Sequence, residues 1–221
     1  MTAQIEKTRT DNTSYHSYQE ADHFEISGRP IFSVLDFWKY CYGDLASQSP
    51  AIAEFLVAKA LHIEKAENVT YWTAYDMSYR GVRIEVKATE YVHSWNKTRV
   101  SKVRTFSIAP SNNRYWGNTG DRKLSRQNDI YVFCINTNQE VQKPQPLNID
   151  YWKFYVLETR RINQYTEING NPNQKKISLN VIKQMAGVPV NWSDLRNKVD
   201  QIVDERAIEQ PNPEGETSSS D

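Results

Sequence analysis

Only two of the 221 residues are cysteine, Cys41 and Cys134. Two thiols cannot build a disulfide framework, and Cys134 falls inside an apolar strand pattern, so both are expected as reduced core thiols. The four histidines (His16, His23, His62 and His93) are scattered, and no Cys/His spacing suits structural zinc. No apolar run approaches the roughly 18–20 residues of a membrane span, and no basic-then-apolar leader opens the sequence. The expectation is a cytoplasmic protein. Formal charge is absent too: 27 Lys and Arg balance 27 Asp and Glu. A neutral total on its own argues against a nucleic-acid partner.

The distribution of charge says otherwise. Between residues 94 and 128 lie eight basic residues, Lys97, Arg99, Lys102, Arg104, Arg114, Arg122, Lys123 and Arg126, against the single acid Asp121. From residue 204 to 221 six acids face Arg206 alone, so an acidic end masks a basic middle. Six Trp and thirteen Tyr argue against general disorder, and the length suits one substantial domain.

Periodicity divides the chain into three parts. Residues 1–28 are polar without a sustained period and read as an extended arm. Residues 29–203 carry the domain, and 204–221 read as an acidic disordered tail. Within the domain, helical spacing marks 36–46, with Ser33 as N-cap. A second helix opens at Ser49-Pro50, since Pro suits the first helical position, and carries Glu54 among apolar neighbours. Strands are expected at 105–109, at 129–135 and at 152–158; the second is nearly all apolar, as a strand buried on both faces must be. Asp129 reads as a cap at that strand's start. Ser178 caps a short helix over 179–186, and a last helix runs over 193–203. This order predicts an α/β (α+β) fold, a mixed central sheet flanked by helices.

The densest signal lies between Thr73 and Thr89. It reads as two alternating strands folded about Arg80-Gly81. Tyr79 then meets Val82, Met77 meets Ile84 and Tyr75 meets Val86, forming an apolar face. The other face sets Asp76 opposite Glu85, with Lys87 one step along. Opposed carboxylates destabilise a hairpin unless something neutralises them, and a divalent cation would convert repulsion into ligation. The residue types also suit an ion-paired solvent face.

A helix glutamate, then Asp76, then Glu85-Val86-Lys87, resembles the core of the PD-(D/E)XK nucleases, the restriction-endonuclease-like superfamily, over roughly residues 50–135. Tyr75 stands where that family's name has proline. The resemblance implies Mg²⁺, with Mn²⁺ as substitute, held by Asp76, Glu85, the Val86 carbonyl and Glu54. Lys87 would orient or deprotonate the attacking water. It further implies a DNA endonuclease of restriction or defence type, with a homodimer suited to double-strand cleavage. Lys97, Arg99, Lys102, Arg104, Arg122, Lys123 and Arg126 are the expected contacts to the DNA backbone. The rival readings are a non-catalytic nucleic-acid- or partner-binding protein of the same fold, and a nuclease acting on RNA or branched DNA.

Overall fold

Ile130–Asn136 is a run of seven residues with no exposed side chain, and it forms an inner strand of the main sheet. The computed structural model describes residues 18–63, 75–93, 99–101, 104–111 and 124–209. They belong to two units, Met1–Gly43 and Asp44–Asp221. Lys97, Lys102, Arg122 and Lys123 lie outside the described residues.

In the first unit, strands β1 (His23–Ile26) and β2 (Arg29–Ser33) pair antiparallel, and helix α1 (Val34–Tyr42) follows directly. Ser33 caps α1 through a reciprocal capping box: its Oγ accepts from the Asp36 amide, and the Asp36 carboxylate accepts from the Ser33 amide. The helix thus begins earlier and ends earlier than its apolar spacing predicts. The hairpin before it lies partly within the stretch read as an arm, because the alternation of His23–Ile26 lasts only four residues.

The second unit contains helix α2 (Ser49–Ala60), strands β3 (Met77–Tyr79), β4 (Val82–Glu90), β5 (Thr105–Ser107), β6 (Ile130–Asn136) and β7 (Trp152–Glu158), helix α3 (Thr159–Ile168), strand β8 (Lys176–Ser178), and helices α4 (Leu179–Ala186) and α5 (Trp192–Glu209). The main sheet has the order β3-β4-β6-β7, mixed as expected: β4 and β6 run parallel, and both outer pairs are antiparallel. The strand expected at 105–109 is shorter and sits elsewhere. β5 pairs with β8 in a separate ribbon rather than joining the main sheet.

Alternation along the strands produces two cores, one on each face. The first joins Ile84, Val86, Ile130, Val132, Cys134, Phe154 and Val156 to α2 (Ala53, Leu56, Val57) and α5 (Leu195, Val199, Ile202). The second joins Tyr131, Phe133, Ile135, Tyr155 and Leu157 to Phe106 and Ile177 of the ribbon, Ile162 of α3 and Ile182 of α4. Each such side chain contributes about 1.5–3 kcal/mol by leaving water, so loss of either helical layer would unmake the sheet. The last helix runs six residues past the predicted stop at 203 because its final turns are held by ions rather than apolar contacts. Arg206 reaches Asp129 at 3.2 Å, and Arg160 binds Glu209. Among the described residues, no helix is long and apolar enough to cross a membrane.

Candidate active site

The turn between β3 and β4 decides where the carboxylates fall. Arg80 and Gly81 both take positive φ, 47° and 80°, the conformation of a two-residue turn whose twist matches its strands. Arginine is a poor residue for that region, and its guanidinium is tied down on α5, 2.8 Å from Asp200 and 2.7 Å from Asp204. The turn sets the register foreseen: Tyr79 faces Val82, Ser78 faces Arg83 and Met77 faces Ile84.

One step further the expectation fails. The ladder stops at Met77, so Asp76 is not paired with Glu85, nor Tyr75 with Val86. Instead the Asp76 amide donates to the Ile84 carbonyl at 3.0 Å, the same residue that faces Met77. That extra residue turns the Asp76 side chain across the strand end, where its Oδ2 accepts from the Val86 amide at 2.6 Å. The N–H and C=O of one residue point to the same side of a strand, so the Val86 carbonyl is directed to this side as well.

Glu85 and Lys87 lie two apart on β4 and share the second face, where the Lys87 ammonium donates to the Glu85 carboxylate. Glu54 approaches from α2, on the first face. Burial raises the Asp76 carboxyl against the pull of the Val86 amide and Lys87. Burial and then the Asp76 charge raise Glu85. Glu54, although exposed on α2, is pushed up to about 7 by partial loss of water and then by Asp76, with a smaller push from Glu85 and an opposing pull from Lys87. Asp76 is thus felt by residues on both faces, since it also acts on Cys134 of the first core and Tyr131 of the second.

The structure therefore brings Glu54, Asp76, Glu85 and Lys87 into one electrostatic cluster with more carboxylates than cations. Among the described residues, no three His, Cys, Asp or Glu side chains converge closely enough to enclose an ion by themselves.

The described basic residues are placed less freely. Arg126 is built into the fold: its Nε donates to the Ile108 carbonyl at 2.8 Å, Nη1 to Asn163 at 2.7 Å and Nη2 to the Gln174 carbonyl at 3.0 Å. Arg104 lies flat on Tyr91, 3.6 Å from the ring centre, and donates to the Ser101 carbonyl. Arg99 is exposed. Tyr131 was absent from the sequence expectations. Parallel pairing sets it beside Glu85, a juxtaposition legible only once β4 and β6 are known to be neighbours in that register.

The cluster lies on a mixed sheet, at the irregular end of the β3–β4 hairpin. Among known families, the model described as bacteriophage T4 endonuclease IV matches residues 46–179, more than half the chain. The chain belongs to the bacteriophage T4 endonuclease IV family, an endonuclease family. The match runs from just before α2 to the start of α4, so the whole cluster lies within it, whereas α5 lies beyond. No curated protein and no solved structure matches.

Proposed function

We propose that this protein is a Mg²⁺-dependent DNA endonuclease of the PD-(D/E)XK type, with its centre at Asp76, Glu85 and Lys87 and with Glu54 in support. The observation that supports the reading is the gathering of three carboxylates around one lysine: loss of water first, and then the charge of Asp76, raises both Glu54, to about 7, and Glu85. Side chains that repel one another in this way are retained where a cation is to be held. The donor set fits Mg²⁺, which takes oxygen ligands and keeps several waters, using one or two carboxylates plus substrate phosphate. Asp76, Glu85 and the Val86 carbonyl would hold it. The family match supports endonuclease activity on DNA.

Bound Mg²⁺ supplies charge neutralisation at the phosphate and acidifies its bound water. The protein's own groups do the remainder. Lys87, fixed by Glu85, presents an ammonium to the charge that develops on the attacked phosphate. Asp76 is oriented by the Val86 amide, so its free oxygen has one direction. Glu54 accepts a proton near neutral pH, at the margin of the cluster. A restriction or defence role and a homodimer belong to the same reading.

Incubation of purified protein with plasmid and Mg²⁺, beside Asp76→Ala and Lys87→Ala, tests it. Cleavage by the wild type and its loss in both variants is the expected result. Equal cleavage by all three would remove the assignment, and activity confined to RNA or branched DNA would redirect it.

A further inference from the structure

Among the described residues of the first unit, Val34 alone is buried, although the segment carries a closed hairpin and a capped helix. Phe24 and Phe32 face each other across the hairpin with ring centroids 5.5 Å apart, and Phe37 of α1 meets Phe24 at 5.9 Å. This ring cluster is open on its outer side: the three side chains are 43%, 55% and 49% exposed. Alternation sets Ile26, 66% exposed, on the same side of β1 as Phe24, and helical spacing sets Tyr40, 89% exposed, one turn beyond Phe37. At about 200 Å² for a fully exposed side chain of this size, the five present on the order of 600 Å². That is the upper end of what a monomer leaves open. A lone two-stranded hairpin is marginal in water, and a helix of nine residues is shorter than the roughly 12–15 that an isolated helix needs. The ring face therefore needs a cover.

We propose that the cover is the same face of a second copy, so that the protein is a dimer joined through its first unit. Two such faces bury about 1,200 Å² together, above the roughly 1,000 Å² that a specific interface needs. A two-fold contact asks for one self-complementary patch, and here the rings lie at the centre while Arg29 stands at the turn. A nucleic-acid strand is a poor occupant: between residues 18 and 43 the acids Glu20, Asp22, Glu25 and Asp36 outnumber Arg29 and Lys39. The face also lies outside the family match at residues 46–179, apart from the shared endonuclease region. It gives the homodimer of the nuclease reading a surface, yet it stands on the packing of the first unit alone and holds whether or not the protein cuts DNA.

Sedimentation velocity of the full chain, over a wide range of concentration, reads the mass. The wild type should run as two chains. The double variant Ile26→Glu with Tyr40→Glu puts carboxylates at two exposed positions of the face and should weaken association roughly a hundredfold, the scale of lost interface anchors. Tyr40→Ser, a milder change, should weaken it several-fold. Cys134 should stay protected from a chromogenic disulfide in every variant, showing that the second unit remains folded. Ile168→Glu, which charges a similarly exposed apolar position on α3, should leave the dimer intact. A wild type that stays a single chain at every concentration would overturn the proposal, leaving the face to another protein or to the chain's own second unit. A dimer unchanged in both face variants would overturn it too, as would an equal loss in Ile168→Glu. A dimer without Mg²⁺-dependent cleavage would remove the nuclease reading and leave this one standing.

Discussion

One oxygen of Asp129 accepts two hydrogen bonds from the same residue, from the Arg83 amide and the Arg83 Nε, each 2.9 Å long. Its other oxygen takes Arg83 Nη2 at 3.1 Å and Arg206 Nη2 at 3.2 Å. The strand-end role expected for Asp129 is therefore realised, and it extends further: the beginnings of β4 and β6 are joined to the last turns of α5. Burial opposes ionisation of this carboxyl, but the Arg83 bonds outweigh it and hold it below its ordinary value of 3.8. The stabilisation is present above that value and is lost as pH falls through the lowered one. Asp129→Ala should destabilise by about 1–3 kcal/mol at neutral pH. The check is a lower urea midpoint with an unchanged slope, the difference from wild type shrinking in acid; an unchanged midpoint would show that the clamp is idle.

Glu54 behaves in the opposite sense. Its carboxyl stands at about 7 in the fold against an ordinary 4.5, so the folded state binds the extra proton. Stability is greatest below pH 4.5 on this account and declines as pH rises to about 7. Glu54→Gln should flatten that decline in metal-free buffer and melt above the wild type at pH 8. Parallel melting curves for the two proteins from pH 5 to 8 would show that Glu54 is not coupled to its neighbours.

The turn offers a test of backbone strain. Arg80→Gly relieves the positive φ but forfeits ion pairs that are largely in solvent, and the two effects should leave the urea midpoint close to that of wild type. Arg80→Val places a β-branched side chain where L residues are disfavoured and should cost about 1–2 kcal/mol more than the glycine variant. Urea midpoints for the pair decide. Equal midpoints would mean the turn tolerates another conformation.

The two cysteines should separate chemically. Cys134 is fully buried, and burial together with the Asp76 and Glu54 charges raises its thiol well above 9.0. Cys41 is only half-buried. With a chromogenic disulfide at pH 8, one thiol per chain should react in the native protein and the second only in denaturant. Rapid release of both would contradict the packing around Cys134.

The sheet was readable from the sequence where apolar residues run together or alternate strictly. The stretch around Val132 and the Tyr79–Val82 turn both fall where expected. α3 was not foreseen, because Thr159–Ile168 is mostly polar and buries only Thr159, Ile162 and Thr166. β8 is three residues long, and nothing in its neighbourhood announces that it pairs with β5 rather than with the main sheet. At the site, the order of Glu54, Asp76, Glu85 and Lys87 is legible because alternation assigns faces to strands. The departure at Asp76 is not, since a one-residue irregularity at a strand end leaves no trace in the pattern. In the basic stretch, charge identifies the arginines, but only packing shows that Arg126 is held by backbone carbonyls.

Asp76, Glu85 and Lys87 are close neighbours in the chain, and their hairpin can form from local contacts alone. The sheet behind it needs β6, and the first core needs α5, which follows every strand of that sheet in the chain. A chain still emerging from a ribosome therefore carries Asp76, Glu85 and Lys87 well before it has the helix that backs their sheet. Until α5, the helix outside the family match, has docked, the first core lacks Leu195, Val199 and Ile202.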